Sequence, residues 1–283
     1  MKTVAFCRRW IDLKSYLYDF YVSREQLIRL IRRLEKAIET APEGYAVGSF
    51  CKGTEQFYWR GVEPGKKQYL NSEDRELLKQ LVQKSYDRSC LVAARKIEKR
   101  GPVNGTYCLA ELVRIYERLS EKRQGLVNPY VMPTEEYVRR WNAVEYDMFT
   151  GYPQGKRYVT NTGVDVRSKS EMMIGNLLTD LGYSYRYEMP VDLPIGVQEY
   201  PDFMILDHYT REVILYEHFG RMDEESYRTR NLRKINYYLE CGYRVGIDFM
   251  FSFESDTVAF NYRNVERTLT DFLTRRREFA RLL

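Results

Sequence analysis

Apolar residues recur at helical spacing in the first hundred residues and predict two long helices around a small sheet. Ser23 can cap the first helix together with Gln26. This helix carries a coiled-coil-like seam, formed by Leu27, Ile31, Leu34 and Ile38. The second helix begins near Ser72 and ends before a Gly-Pro pair at 101–102. Between the helices, alternating patterns predict three short strands, at residues 44–51, 57–62 and 67–70.

The middle of the chain changes character. A third helix is predicted at about residues 107–123. Proline and glycine then become frequent over 125–163, which indicates a connector, and one short helix is predicted within it at 134–143. We therefore expect a helical region with a small sheet at 1–125, a connector at 126–160 and a second domain at 161–283.

Two apolar strands in the second domain carry an acidic residue away from the turn between them, Asp202 near the start of the first strand and Glu217 near the end of the second. They cover residues 200–207 and 213–220, and the residues between them predict a hairpin loop of about four residues. With residues 208–211 as the loop, Asp202 falls directly opposite Glu217, with Cβ atoms about 4.5–5.5 Å apart. Opposed carboxylates repel unless they share a proton or hold a cation, and a hard cation with oxygen ligands is the simpler explanation.

A third carboxylate, Glu171, lies at the start of a predicted helix. That helix begins after Ser168 and has apolar residues at helical spacing, namely Ile174, Leu177, Leu178 and Leu181. Ser168 and Glu171 also match the capping-box pattern, in which the glutamate only accepts the N-cap amide. Because Glu171 precedes Ile174 by three residues and Leu178 by seven, we expect its side chain to face the sheet.

A helix glutamate, a Pro-Asp pair on a strand and an acidic residue on the next strand together resemble the PD-(D/E)XK nuclease superfamily, over about residues 161–254. The segments Tyr200-Pro201-Asp202-Phe203 and Tyr216-Glu217-His218-Phe219-Gly220 are similar to those of a group of uncharacterised bacterial and phage members. The resemblance implies an α/β (α+β) fold with a restriction-endonuclease-like mixed sheet flanked by helices. It also implies that Glu171, Asp202 and Glu217 hold Mg²⁺, and we expect Mn²⁺ to substitute.

The chain departs from the family pattern at the lysine expected two residues after the motif glutamate, because Phe219 stands there. Lys234, on the following helix, is the best candidate for a lysine that has moved to another element. Lys169 is a weaker one. The competing interpretation makes Lys234 a solvated charge on a helix that buries its apolar residues, Leu232, Ile235 and Leu239.

Two further residues are candidates for accessory roles at the site. Glu188 ends the strand before the hairpin and can reach the edge of the site. His218 should point to the opposite face from Glu217, because side chains alternate along a strand. It is therefore not expected to bind the metal directly.

Charge and aromatic content are compatible with nucleic-acid binding, although a net charge of +5 is weak evidence alone. The 25 tyrosines interleave with basic residues and offer stacking and phosphate contacts where exposed. The candidate nucleic-acid residues are Tyr58, Arg60, Lys66, Lys67, Arg230 and Arg233. The family resemblance favours DNA over RNA. A scaffold role for the N-terminal region, with a homodimer through its helices, remains the alternative.

The five cysteines show no paired spacing typical of zinc sites, and their odd number favours reduced thiols and a cytoplasmic protein. No apolar run has the length of a transmembrane helix, and Met1–Arg9 lack the sustained apolar core of a signal sequence. The resemblance to the PD-(D/E)XK nuclease superfamily implies a Mg²⁺-dependent endonuclease. The alternative is a nuclease-fold module that has lost catalysis and binds nucleic acid or a partner.

Overall fold

The computed structural model describes residues 16–51, 54–61, 65–149, 151 and 157–282. These residues form two compact units, an N-terminal unit up to residue 137 and a C-terminal unit over 138–282, and the boundary lies within the helix α5 (Thr134–Ala143). The strand end predicted at Val62 and the N-terminal residues considered as a signal sequence lie outside the described residues.

The N-terminal unit is built on two long helices. Its helices are α1 (Arg24–Thr40), α2 (Arg75–Arg100), α3 (Ala110–Glu117) and α4 (Glu121–Gln124). Its strands are β1 (Tyr21–Val22), β2 (Tyr45–Cys51), β3 (Thr54–Arg60), β4 (Lys67–Tyr69) and β5 (Tyr107–Cys108). The predicted capping box of Ser23 and Gln26 is confirmed. The apolar seam of α1 packs within the core of the unit itself, where Leu27 and Leu34 are fully buried.

Strands β2, β3 and β4 form an antiparallel meander in that order. Ala46 and Phe57 on one face are buried in the core with the helices. The three predicted strands are therefore confirmed, with shifts of a few residues at their ends.

The single helix predicted at about 107–123 is wrong. Tyr107 and Cys108 are extended and pair with Val22 and Tyr21 in β1. The remainder divides into α3 and α4, because Ser120 starts a new helix by accepting the backbone N–H of Arg123. The pairing with β1 joins segments far apart in sequence, so periodicity within 107–123 contained no sign of it. The short helix predicted at 134–143 is confirmed as α5.

The C-terminal unit combines a central sheet with helices on both faces. Its strands are β6 (Tyr158–Val159), β7 (Asp165–Val166), β8 (Ser184–Tyr187), β9 (Val191–Asp192), β10 (Gln198–Glu199), β11 (Phe203–Leu206), β12 (Val213–Phe219) and β13 (Phe249–Phe253). Its helices after α5 are α6 (Lys169–Asp180), α7 (Glu225–Glu240) and α8 (Tyr262–Leu282).

The central sheet has the strand order β13-β12-β11-β8, in which β12 and β13 are parallel and the other pairs are antiparallel. Helices α6 and α8 pack against one face, where Ile174 and Leu269 share a core with Phe203 and Tyr216. Helix α7 covers the other face, with the Tyr238 ring 5.0 Å from that of Phe249. The protein is thus of the predicted α+β class, with a mixed sheet flanked by helices.

In the part of the chain that the structure describes, no helix has both the length and the apolar composition needed to cross a membrane.

Candidate functional site

The hairpin formed by β11 and β12 brings the two strand carboxylates together. Phe203 pairs with Tyr216, so one step further along the ladder Asp202 lies opposite Glu217, which confirms the register predicted from the sequence. The turn is closed by a hydrogen bond from the Asp207 N–H to the Glu212 carbonyl. Asp202 is half-buried and accepts the backbone N–H of His218 at 2.6 Å. This bond fixes one carboxylate oxygen at the start of β11.

Glu217 is almost fully buried, with 2% of its surface exposed, and helix α7 supplies both of its side-chain partners. The Lys234 ammonium lies 2.7 Å from Oε1 of Glu217, and the Tyr238 hydroxyl donates to the same oxygen at 2.8 Å. Lys234 also donates to the Tyr200 carbonyl at 2.7 Å. A buried carboxylate requires such partners, because an unpaired charge in the interior is costly.

The orientation of α7 rejects the interpretation of Lys234 as a solvated charge. Leu232 and Leu239 are exposed at 52% and 44%, whereas Lys234 and Tyr238, one turn apart, point to the sheet. The apolar stripe expected to face inward therefore lies largely in solvent. The physical reason is the buried charge of Glu217, which makes a cation and a hydroxyl group better neighbours than leucine at this point of the sheet.

Glu171 is buried at the N-terminus of α6 and held by three donors. The Ser168 side chain caps the helix and also donates to Oε1 of Glu171 at 2.9 Å. Oε2 accepts the Tyr187 hydroxyl at 2.6 Å and the Arg167 N–H at 2.9 Å. In a complete capping box the Glu171 carboxylate would accept the Ser168 N–H. Here it accepts the backbone N–H of the preceding residue, Arg167. The cap is thus only partly formed, and the carboxylate is anchored to the sheet through Tyr187.

The acidic residues interact electrostatically. Burial raises the pKa of Asp202 well above its ordinary value, the carboxylates of Glu217 and Glu171 raise it further, and Lys234 opposes this. Burial also raises the pKa of Glu217, against the opposing effect of Lys234. For Lys234, burial alone would lower the pKa, but the Glu217 and Asp202 carboxylates raise it above its ordinary value. Lys234 is therefore charged at neutral pH.

The donor chemistry fits a hard divalent cation. Mg²⁺ prefers carboxylate oxygens and keeps several waters, so a few carboxylates suffice. Burial and the neighbouring carboxylates raise the pKa of Asp202, and Lys234 opposes this only in part, so a cation bound between the carboxylates would favour their charged forms. Among the described residues, however, no three acidic, histidine or cysteine side chains are grouped as metal ligands. Lys234 and Tyr187 hold Glu217 and Glu171 in their present positions.

Two of the three accessory candidates, Lys169 and Glu188, lie in different surroundings. Lys169 is exposed at the start of α6. Glu188 is buried and paired with Arg167, whose Nε lies 2.5 Å from its carboxylate. Glu188 also adopts a left-handed backbone with φ 49°, and its N–H donates to the Asp202 carbonyl. Glu188 and Arg167 therefore support the segments that carry Asp202 and Glu171.

His218 projects from the face of β12 opposite to Glu217. Its Nδ1 lies 2.8 Å from the Ser252 hydroxyl, and its ring contacts that of Phe260 edge-on. Its Nε2 is 3.4 Å from Glu254, whose carboxylate also accepts the Ser170 hydroxyl. Burial lowers the pKa of His218, against the effect of Glu254. This surrounding is that of a packed histidine.

The residues predicted to bind nucleic acid are distributed over both units. Arg60, Lys66 and Lys67 are exposed and Tyr58 is half-buried, all in or next to the small sheet of the N-terminal unit. Arg230 and Arg233 are exposed on α7, the helix that carries Lys234. The Arg230 guanidinium lies 5.4 Å from the centre of the Tyr227 ring.

Sequence reasoning missed three residues around the carboxylates. Tyr187 and Tyr238 donate to Glu171 and Glu217, and neither spacing nor residue type marked them among 25 tyrosines. Glu199, in β10, has a raised pKa because of burial, with Lys234 lowering it and Glu217 raising it. Its position three residues before Asp202 was the available signal. Glu199 is thus a further carboxylate within electrostatic range of Lys234.

Comparison with known proteins identifies neither a family nor a fold. No family model matches the chain, and no solved structure matches it. A segment of 80 residues is 36% identical to an uncharacterised protein of Methanocaldococcus jannaschii, covering 28% of this chain and 6% of that protein. The chain therefore spans only a small fraction of the length of that relative.

Proposed function

We propose that the C-terminal unit is a Mg²⁺-dependent nuclease that hydrolyses phosphodiester bonds, with DNA as the preferred substrate. The supporting observation is the arrangement of Asp202 opposite Glu217 with the Lys234 ammonium 2.7 Å from Glu217. A carboxylate pair with an adjacent lysine is what the family pattern requires. Here the lysine comes from α7, and Phe219 occupies the position where the family has it.

Asp202, Glu217 and Glu171 would hold the metal, and this requires the Glu171 and Glu217 side chains to turn away from their present partners. When bound, Mg²⁺ lowers the pKa of a coordinated water and neutralises charge on the phosphate. Lys234 remains protonated because of the surrounding carboxylates. Once Glu217 turns away from Lys234, the ammonium N–H groups of Lys234 can orient the attacking water or donate to a phosphate oxygen.

Exposed basic residues adjoin this site on α7. Arg230 and Arg233 lie within one turn of Lys234 along the same helix. Contacts to phosphates from such residues would fix the register of the strand without reading its sequence. DNA is preferred over RNA on the family resemblance.

The alternative is a nuclease-fold module without catalysis, and Phe219 is the observation in its favour. Phe219 is buried against Phe251, so the residue at position 219 contributes to core packing. For either function we propose a cytoplasmic location, since the odd number of cysteines, five, favours reduced thiols.

The test is cleavage of linear, nicked, branched and single-stranded DNA, and of RNA, in Mg²⁺, Mn²⁺, Ca²⁺ or EDTA. The expected result is metal-dependent cleavage that Asp202→Ala and Glu217→Ala each abolish, while Glu240→Ala, which removes an exposed carboxylate at the end of α7, cleaves normally. Absence of cleavage on every substrate, with binding retained, would favour the inactive module. Cleavage by Asp202→Ala at the wild-type rate would remove the carboxylate pair from the mechanism.

A further inference from the structure

One face of the small sheet in the N-terminal unit carries tyrosines and basic residues. Strand register sets Tyr45, Arg60 and Lys67 in one row across β2, β3 and β4, and sets Tyr58 and Tyr69 opposite each other in the next row. Side chains of directly paired residues, and of residues two apart, share a face of the sheet. We call these five residues the tyrosine face.

The opposite face of the same sheet is the one that packs into the protein. Ala46 and Phe57 are buried there, and Trp59 packs against the same core and donates its indole N–H to the Glu43 carbonyl. The tyrosine face is instead open. Tyr45 and Tyr69 are 45% and 51% exposed, so about half of each side chain faces solvent.

The geometry of the rings leaves flat surface available. Tyr58 and Tyr69 meet edge to face, with centroids 5.5 Å apart. Lys67 holds its ammonium 4.6 Å from the centre of the Tyr58 ring, although it lies opposite a like charge, Arg60. In an edge-to-face pair, one ring still presents a face to a third group. The two adjacent cations are unfavourable in the isolated protein and would be stabilised by an anion.

Charge indicates the class of ligand. Of the described residues in β2, β3 and β4, Glu55 is the carboxylate, and it lies on the buried face, paired with Arg123. The tyrosine face therefore combines aromatic rings with positive charge and presents no carboxylate among these residues. Rings that stack on bases, together with cations that contact phosphates, are the features of surfaces that bind single strands. A duplex offers no unstacked base to such rings.

We propose that the tyrosine face binds a single-stranded segment of nucleic acid, with a base stacked on Tyr69 and phosphates contacting Arg60 and Lys67. This binding does not depend on hydrolysis, so it can hold even if the C-terminal unit has no nuclease activity.

The test measures binding of the full-length chain in EDTA to a fluorescent oligothymidylate of about 12 nucleotides, within the length range of known single-strand sites, and to a hairpin duplex. Tyr69→Ala should weaken binding to the single strand about 10-fold, the effect of losing one stacked base. Tyr69→Phe should bind normally because it keeps the ring. Phe50→Ala is the matched control, since Phe50 is an aromatic residue 74% exposed on the other face of the sheet.

Lys67→Ala should make the negative slope of log affinity against log salt shallower by about 0.7 for a single strand. Normal binding of the single strand by Tyr69→Ala would overturn the proposal. The proposal would also be overturned if the duplex bound as tightly as the single strand and Tyr69→Ala left duplex binding unchanged. A third contrary outcome is a wild-type protein that does not bind the single strand and forms a dimer, while Tyr69→Ala is a monomer. A second copy of the chain would then cover the tyrosine face. Since EDTA prevents metal-dependent cleavage, binding and the nuclease proposal are tested separately.

Discussion

Lys234 reaches Glu217 from a different element, with its ammonium 2.7 Å from the carboxylate. A lysine two residues after Glu217 would have shared its face of β12, because side chains alternate along a strand. Phe219 occupies that position and packs against Phe251. Helix α7 covers the same face, so Lys234 brings an ammonium group to the side of β12 from which a lysine at position 219 would project.

Replacing Lys234 by methionine should separate its structural and chemical roles. We expect Lys234→Met to lower the cleavage rate about 100-fold or more. Loss of the ammonium also leaves Glu217 buried without its cation, which should lower the free energy of unfolding by about 3–5 kcal/mol. Arg233→Ala, an exposed neighbour on α7, should change stability little. Steady-state cleavage and urea unfolding in EDTA measure the two effects.

The double variant Glu217→Gln/Lys234→Met provides the decisive comparison. Removing both charges should recover most of the stability that Lys234→Met loses, because a neutral amide remains in place of the buried carboxylate. Cleavage should be lost in the double variant, because Glu217 is a proposed metal ligand. If the double variant recovered cleavage together with stability, Lys234 would serve only to neutralise Glu217.

Replacing Asp202 by asparagine should stabilise the metal-free protein and abolish its response to Mg²⁺. Asparagine can still accept the His218 N–H but does not repel Glu217 and Glu171. Relief of about 1 kcal/mol of repulsion corresponds to a rise in Tm of roughly 2–4 °C. Saturating Mg²⁺ should raise the Tm of the wild type, since a ligand bound to the folded state stabilises it. Thermal unfolding with and without Mg²⁺ measures both, and an equal Mg²⁺ response in the two proteins would exclude Asp202 as a ligand.

The raised pKa of Asp202 predicts how stability depends on pH in EDTA. The folded protein holds the Asp202 proton more tightly than the unfolded chain, in which the pKa is near 3.8. The resulting stabilisation is fully present below pH 3.8 and is lost as pH rises through the raised pKa of the folded state. Urea unfolding from pH 4 to 8 should therefore show the wild type losing stability relative to Asp202→Asn. A constant difference between the two across this range would contradict the raised pKa.

The hairpin was predictable because its information is local. A short loop fixes the register of two neighbouring strands, and register alone determines that Asp202 opposes Glu217. The helix start at Ser168 was equally local, since its cap and apolar stripe lie within a dozen residues.

The environment of α7 was not predictable from periodicity. The pattern of Leu232, Ile235 and Leu239 suggested an apolar inner face, yet Leu232 and Leu239 are exposed and Tyr238 is buried. The orientation of the helix depends on a buried carboxylate on a separate strand. The spacing of apolar residues within the helix gives no information about that carboxylate. The prediction of a single third helix was wrong for a similar reason, because Tyr107 and Cys108 pair with a strand more than 80 residues earlier.

Tyr187 should act as a positioning residue for Glu171. Its hydroxyl donates to Oε2 of Glu171 at 2.6 Å, and burial together with Glu171 raises its pKa, so it stays protonated as a donor. Tyr187→Phe keeps the ring in the core and removes that bond together with the one that the hydroxyl accepts from the Arg167 N–H at 3.2 Å, which should cost roughly 1–2 kcal/mol of stability. Groups that orient a metal ligand typically change metal affinity or activity by about 10–100-fold when removed.

We therefore expect Tyr187→Phe to raise the Mg²⁺ concentration needed for half-maximal cleavage about 10-fold, with a smaller change in the rate at saturating Mg²⁺. Tyr185→Phe is the matched control, because Tyr185 lies on the same strand and its hydroxyl contacts Thr160 and Thr162 rather than a carboxylate. A purely structural role would lower the Tm of Tyr187→Phe and leave the Mg²⁺ dependence unchanged. That result would separate Glu171 from the metal and leave Asp202 and Glu217 as the ligands.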